Sequence, residues 1–301
     1  MNIQPYHANN RRRFLQTVAL GGATAAALCS SSSPLHGAES YLRGTPRMKL
    51  GLVTYNLAKD WDLDTIITNC REGGFQGVEL RTTHAHGVES SLDARRRRDV
   101  REKFRDSGLE LMGLGSAFDY HTPDQNKLRK DIDATKDYIV LAHDVGAPGI
   151  KVRPNGLPEG VSEEKTLEQI GRALRELGEF ADRYGVQIRV EVHGRGSSLL
   201  PNMKTIMDTA NHPLVGVCWN SNGTDLAGDG FQHNFDLVKR KIFTVHMRDL
   251  FLEDYPFRKL LANLNGMDYA GYCLAEIPAS SDPIRVMKYY RALWLAYQGL
   301  L

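Results

Sequence analysis

From Met48 onward, short runs of apolar and β-branched residues alternate with longer segments in which apolar residues recur at helical spacing. The pattern predicts eight strands, each followed by a helix. The predicted strands are 49–54, 77–81, 110–114, 149–153, 186–192, 215–219, 242–247 and 272–277. The predicted helices are 61–73, 89–107, 123–145, 162–184, 201–211, 231–240, 255–263 and 282–297. Eight successive βα units favour an α/β fold, a single (β/α)8 TIM barrel.

An open, doubly wound sheet is the alternative fold for such an alternation. That fold would place a glycine-rich phosphate turn after the first strand, whereas the sequence at 53–56 is Val-Thr-Tyr-Asn. The length of the segment, about 250 residues, also matches that of a barrel.

The first part of the chain has a different pattern. Three arginines at 11–13 and Phe14-Leu15 precede a weakly apolar, Gly/Ala-rich run at 17–28. This order resembles a bacterial twin-arginine export signal. We therefore expect a signal peptide at 1–38, a linker at 39–47 and the barrel at 48–301, with export by the twin-arginine route to the periplasm. A basic disordered tail is the alternative.

Composition excludes some classes of partner. The apolar run at 17–28 is too short to span a bilayer comfortably, so no membrane span is expected. A net charge of +2 gives little support for nucleic acid or an anionic membrane surface as a partner. Cys70, Cys218 and Cys273 lack metal-ligand spacing and are expected to be core thiols rather than disulfides.

Polar residues end the last four predicted strands. Glu191, Asn220, His246 and Glu276 each close an otherwise apolar run, and strand ends of a barrel converge at one mouth. A single histidine or glutamate in such a place is more often structural, but four successive strands share the feature. Two buried carboxylates would be costly without a cation. The sequence therefore predicts one divalent ion, Mn²⁺, Mg²⁺, Co²⁺ or Zn²⁺, because these metals accept oxygen and imidazole ligands.

Further polar residues are expected at the same mouth. The expected substrate contacts are Glu79, Lys151, Arg153, His193, Asn222 and Arg248. A surface pair is the alternative for Lys151 and Arg153, and a structural pair with Asp249 is the alternative for Arg248. His84 and His86 follow the second strand as either a second metal site or exposed loop histidines, the latter being favoured.

Five short motifs occur in a characteristic order. They are Gly-Val-Glu-Leu (77–80), Val-Glu-Val-His (190–193), Gly-Val-Cys-Trp-Asn (216–220), Val-His-Met-Arg-Asp (245–249) and Ala-Glu-Ile (275–277). This set resembles the xylose isomerase-like barrel superfamily over about residues 48–297, and within it the sugar phosphate isomerases/epimerases, which include ketose 3-epimerases and inosose dehydratases.

The resemblance implies a ligand set and a pair of acid/base groups. Glu191, Asn220, His246 and Glu276 would hold the metal, with Asn220 standing where the family has an aspartate. Glu191 and Glu276 would also move the proton, while the metal stabilises an enediolate at a carbon next to a carbonyl. The expected function is therefore an exported, divalent-metal-dependent carbohydrate isomerase or epimerase.

Several alternatives stay open at this point. The same site would serve a keto-sugar or glycoside lyase or dehydratase, and Asn220 keeps a non-catalytic sugar-binding barrel in consideration. A DNA-repair nuclease of this superfamily would need more histidine ligands and a more basic surface. An exported sugar is expected to be unphosphorylated, and the oligomeric state, a homo-oligomer included, stays open.

Overall fold

A computed structural model describes residues 42–301 of the chain. The predicted signal peptide and the first part of the predicted linker lie outside these residues. No helix of the described part is long and apolar enough to cross a membrane.

Eight parallel strands close into a barrel in chain order, and the last strand pairs with the first. The strands are β1 (Lys49–Val53), β2 (Gly77–Arg81), β3 (Glu110–Gly115), β4 (Gly149–Val152), β5 (Gln187–Glu191), β6 (Val215–Asn220), β7 (Ile242–Met247) and β8 (Tyr272–Ala275). The helices are α1 (Leu63–Gly73), α2 (Ala94–Ser107), α3 (Gln125–Val145), α4 (Glu163–Ala181), α5 (Leu200–Ala210), α6 (Gly230–Val238), α7 (Phe257–Gly266) and α8 (Pro283–Tyr297). The predicted single (β/α)8 barrel is confirmed, and the predicted boundaries are correct to within a few residues.

Short polar residues fix the starts of several helices. The side chains of Asp62, Asp93, Asp124 and Ser162 each accept a hydrogen bond from a backbone N–H of the first helical turn. Such a cap fixes the residue at which a helix begins and so limits the length of the preceding loop. These loops form the mouth of the barrel.

The main core lies between the barrel and the surrounding helices, and a smaller apolar cluster lies within the barrel. That inner cluster consists of Val53, Met112, Tyr272 and Leu274. The rest of the interior is unusually polar, since Glu79, Lys151 and Arg189 are all buried. Cys70, Cys218 and Cys273 are buried and unbridged, as predicted.

Candidate metal and substrate site

Three predicted metal ligands converge at the C-terminal end of the barrel. Glu191 ends β5, His246 lies on β7 and Glu276 follows β8, and each offers a ligand atom within 4.8 Å of the others. His246 Nδ1 lies 3.5 Å from Glu276 Oε2 and 3.8 Å from Glu191 Oε1. His246 and Glu191 are buried, whereas the Glu276 side chain is 15% exposed and reaches the cavity.

Asn220, the fourth predicted ligand, lies beside this group. It is the last residue of β6 and pairs in register with His246 on β7. Its Nδ2 donates to Glu191 Oε1 over 3.3 Å. A half-turn of the amide would exchange nitrogen for oxygen at the same place, and only the oxygen can ligate a cation. Asn220 is therefore within reach of the ligand set, as a neutral donor.

The surroundings of His246 fit a bound cation. The ring is fully buried, and neither of its nitrogens forms a hydrogen bond within residues 42–301, although carboxylate oxygens of Glu79, Glu191 and Glu276 lie 3.4 to 3.8 Å away. Burying these carboxylates against a ring that forms no hydrogen bond is costly. A divalent ion bound by Nδ1 and the carboxylate oxygens would satisfy both groups.

Glu79 and Lys151, two of the predicted substrate contacts, do not line the cavity, so the geometry gives them a supporting position instead. They are 0% and 2% exposed, below the ligands and inside the barrel. Alternate side chains of a strand face the barrel interior, but the stagger of the strands sets how deep each one lies. Lys151 Nζ donates to Glu191 Oε2 over 2.6 Å, so it contacts a predicted ligand from beneath.

Glu79 lies behind the imidazole. Its Oε1 is 3.4 Å from His246 Nε2, the ring nitrogen that does not face the other ligands. Burial raises the pKa of Glu79, but His246, Lys151 and Arg189 outweigh it and lower that pKa below its usual value. A carboxylate in this place fixes the orientation and tautomer of a metal-binding histidine.

Glycine at position 115 makes room for the Glu79 carboxylate. A Cβ atom at Gly115 would lie 2.7 Å from Glu79 Oε1, which is closer than packed atoms approach. The neighbouring strand β3 therefore leaves the space that this buried acid needs.

Glu191 is held in its charged form. Burial raises its pKa, but the ammonium of Lys151 and the His246 ring lower it to about 2. Glu191 is consequently a carboxylate at neutral pH, as a metal ligand must be.

A cavity of about 570 Å³ opens above the ligands. It is lined by Tyr55, Arg81, Arg153, Glu191, His193, Asn220, Ser221, Asn222, Arg248, Asp249, Leu252, Glu276 and Pro278. Four of the predicted substrate contacts, Arg153, His193, Asn222 and Arg248, therefore line one cavity with Glu191 and Glu276.

Two of these four residues also hold the loops together. The guanidinium of Arg248 donates to Ser221 O over 2.9 Å and to both carboxylate oxygens of Asp254 over 3.2 Å. The anticipated alternative, a pair with Asp249, is not formed. Asn222 Nδ2 donates to Val192 O over 2.5 Å, which joins the loop after β6 to the end of β5.

Arg81 and Tyr55 also line the mouth, and His86 lies near them. Arg81 Nη1 lies 3.9 Å from Glu276 Oε1, and its guanidinium stacks on Tyr55 at 5.2 Å. Arg81 lies two residues beyond Glu79 on β2, so it faces the same side and lies nearer the mouth. His86 is buried and bonds Arg81 O and the Val88 N–H through its two nitrogens, so it fits neither an exposed loop histidine nor a second metal site.

A buried acid ties two mouth loops together. Tyr255 donates to Asp225 Oδ2 over 2.6 Å, and the backbone N–H of Asn222 donates to the same oxygen over 3.1 Å. Trp219 Nε1 donates to Tyr255 Oη over 2.9 Å. Burial raises the pKa of Asp225 to about 7. This chain of hydrogen bonds links the loop after β7 to the strand that carries Asn220.

One curated protein is similar to this chain in sequence. A curated relative, an inosose isomerase from Bacillus velezensis, is 22% identical over 204 residues, which are 67% of this chain and 69% of the relative.

Solved structures share the fold at low sequence identity. The IolI protein with a bound zinc atom has a TM-score of 0.68 at 18% identity, covering 83% of this chain and 98% of that one. The 3-keto-D-glucoside 4-epimerase YcjR from E. coli has a TM-score of 0.69 at 17% identity, covering 83% and 99%. An L-ribulose 3-epimerase has a TM-score of 0.70 at 15% identity, covering 84% and 95%.

A family model described as a xylose isomerase-like TIM barrel matches residues 67–295, which is most of the chain. The chain belongs to the xylose isomerase-like TIM barrel family.

Proposed function

We propose that this protein is a divalent-metal-dependent carbohydrate isomerase or epimerase that acts through an enediolate at a carbon next to a carbonyl. The observation that carries the proposal is the convergence of Glu191, His246 and Glu276 beneath a cavity at the C-terminal mouth. The names of the relatives, an inosose isomerase and two sugar epimerases, support the same class of reaction.

Glu191, Asn220, His246 and Glu276 would hold the metal. A divalent ion bound there supplies Lewis acidity, which makes the C–H next to a substrate carbonyl easier to deprotonate. Its identity among Mn²⁺, Mg²⁺, Co²⁺ and Zn²⁺ stays open.

The protein's own groups would move the proton. Glu276 and Glu191 both line the cavity, Glu276 being the more exposed, and they offer two carboxylates to take the proton from one face and return it to another. Lys151 keeps Glu191 charged, and Arg81 lies beside Glu276. Return of the proton to the same carbon gives epimerisation, whereas return to the neighbouring carbon gives isomerisation.

The substrate class follows from the proposed compartment. The arginine-rich start of the chain resembles an export signal, so we infer export by the twin-arginine route and a periplasmic location. A periplasmic substrate would be an unphosphorylated carbohydrate, free or oxidised.

A second candidate uses the same residues. If the enediolate expels a hydroxide or alkoxide from the next carbon, the enzyme is a lyase or dehydratase on a keto-sugar or glycoside. Asn220 favours a third possibility, a non-catalytic sugar-binding barrel, because a neutral ligand lowers the charge that holds the metal.

Metal content and solvent exchange separate these candidates. The purified, exported protein should contain close to one divalent ion per chain, and it should incorporate deuterium from D₂O into a keto-sugar at the carbon next to the carbonyl. Exchange with release of a leaving group would indicate the lyase. Substoichiometric metal with no exchange across a panel of keto-sugars would reject the enzyme.

A further inference from the structure

Arg153 has no partner at the mouth of the barrel. It lies directly beyond β4, lines the cavity, and is held by its backbone N–H, which donates to Phe118 O over 3.0 Å. Its guanidinium makes no hydrogen bond or ion pair to any residue from 42 to 301, and its Nε is buried without an acceptor. A buried Nε without an acceptor is unfavourable, and the terminal nitrogens of the guanidinium stay available to a ligand in the cavity.

The other two arginines of the cavity differ from Arg153. Arg248 forms a two-pronged pair with Asp254, and Arg81 has Glu276 within 3.9 Å. Among the described residues that line the cavity, Arg153 is thus the cation that no carboxylate compensates.

His193 lies on the same side of the mouth and is also unpartnered. The register pairs Val152 of β4 with Val190 of β5, so continuing it brings Arg153 level with Glu191, two residues before His193. His193 Nδ1 has no hydrogen-bond partner in the described part. His193 lines the same cavity as Arg153.

The charge of the site leaves room for an anion. The cavity lining carries three arginines, Arg81, Arg153 and Arg248, and three acids, Glu191, Asp249 and Glu276. A divalent ion in the site would therefore make it net positive. Because Arg248 is paired with Asp254 and Arg81 lies beside Glu276, the guanidinium of Arg153 is the one available to an anionic ligand.

We propose that Arg153 and His193 form a carboxylate-binding subsite and that the substrate is a sugar acid. A planar carboxylate accepts two parallel hydrogen bonds from a guanidinium fork, and an imidazole N–H adds one further donor. A carboxylate is chosen over a phosphate because the proposed function expects an unphosphorylated substrate. The naming of the substrate rests on the proposed function, whereas the subsite itself does not.

Calorimetric titration of the full-length protein with three probes, in the presence and absence of Mn²⁺, tests the subsite. The probes are D-glucuronate, D-glucose and D-glucose 6-phosphate, which differ only in the group at one carbon. We expect glucuronate to bind at least about tenfold more tightly than glucose, the worth of one hydrogen-bonded charge pair.

Variants assign that preference to Arg153. Arg153→Gln should abolish the preference for glucuronate while leaving the affinity for glucose unchanged, and Arg153→Lys should retain part of it. Arg172→Gln removes the same charge from an exposed residue of helix α4 and should keep the full preference. If Arg153→Gln does not fold, the affinities of wild type and of Arg153→Lys for the three probes still test the subsite.

Three outcomes would overturn the subsite. The first is that wild type binds glucuronate no more tightly than glucose, and the second is that it binds glucose 6-phosphate more tightly than glucuronate. The third outcome is that Arg153→Gln loses affinity for glucose and for glucuronate equally. Deuterium exchange into a neutral keto-sugar without a preference for glucuronate would reject the subsite and leave the proposed function standing. A preference for glucuronate without deuterium exchange into any sugar would reject the proposed function and leave the subsite standing.

Discussion

The side chain of Glu79 has no exposed surface, yet it remains charged inside the barrel. The positive charges of Lys151 and Arg189 offset the desolvation of the Glu79 carboxylate. This charged group lies against His246. A carboxylate behind a metal-binding histidine raises the basicity of the ring and fixes which nitrogen carries the proton.

Glu79→Gln should therefore weaken metal binding by about 10- to 100-fold, as loss of such partners does elsewhere. Competition with a fluorescent chelator measures this without reference to turnover. Glu110→Gln is the matched control, because Glu110 bonds Lys49 and Tyr272 at the start of its strand rather than at the mouth. Equal affinity in wild type and Glu79→Gln would show that Glu79 does not support His246.

Asn220 is the residue at which this chain departs from the ligand set that its resemblance implied. Asn220→Asp adds a negative charge beside Glu191 and His246, so the affinity for Mn²⁺ should rise by about tenfold. Titration calorimetry against wild type measures the change. Asn155→Asp, an exposed change in the loop after β4, should leave the affinity nearly unchanged. An affinity that does not rise in Asn220→Asp would remove residue 220 from the ligand set.

The identities of the site residues were predictable from the sequence, but their depth was not. Alternation along a strand places Glu79, Lys151 and Arg153 on the inner face, and strand ends indicate the mouth. Whether an inward side chain reaches the cavity or stays beneath the ligands depends on the stagger of the strands, which no local pattern encodes. The pairing of Arg248 with Asp254 rather than with the adjacent Asp249 depends on the course of the loop after β7, which no strand pattern encodes.

At the scale of elements, the loops after β4 and β5 form one wall of the mouth. A parallel bridge joins Gly156 to Arg195, and Gly194 packs directly on this junction. A Cβ atom at Gly194 would lie 2.4 Å from the carbonyl carbon of Asn155, and its φ is +89°. The wall that carries Arg153 and His193 therefore depends on a residue without a side chain.

Gly194→Ala should lower the free energy of unfolding for two reasons: the positive φ strains an alanine, and its Cβ atom would clash with the backbone of Asn155. Gly185→Ala is the matched control, since Gly185 has a φ of +64° and a Cβ atom added there would meet nothing within 4 Å. The control should lose about 1–2 kcal/mol, and Gly194→Ala at least about 1 kcal/mol more. Urea unfolding measures both values. Equal losses in the two variants would contradict the close packing of these loops.

Asp225 links the loops after β6 and β7, and it predicts a pH dependence of stability. Its pKa is about 7 in the folded chain against an ordinary value of 3.8. A raised folded-state pKa contributes stability below pH 3.8 that is lost as the pH rises through about 7. Asp225→Asn cannot ionise and keeps an acceptor for Tyr255.

The stability of wild type relative to Asp225→Asn should consequently fall between about pH 4 and about pH 7. Urea unfolding across that range measures the difference. Asp229→Asn, an exposed change near the same loop, should show no such trend. A constant difference between wild type and Asp225→Asn would place the pKa of Asp225 near its ordinary value.

At the scale of the whole molecule, the order of strands and helices was predictable because each βα unit has its own periodicity and caps. Helix α4, predicted to run to residue 184, ends at Ala181, since no local signal distinguishes the last helical turn from the turn that follows. The reaction is less determined by the fold, because barrels of this family carry several sugar chemistries on one architecture.

The central claim is that Glu276 moves a proton while a metal is bound beside it. The most direct measurement is deuterium incorporation from D₂O into a keto-sugar substrate at the carbon next to the carbonyl, comparing wild type, Glu276→Gln and Glu110→Gln, each loaded with Mn²⁺ and checked for metal content. Wild type and Glu110→Gln should exchange at the same rate, a chelator should stop them, and metal-loaded Glu276→Gln should be inactive. Unchanged exchange in metal-loaded Glu276→Gln would contradict the acid/base role of Glu276.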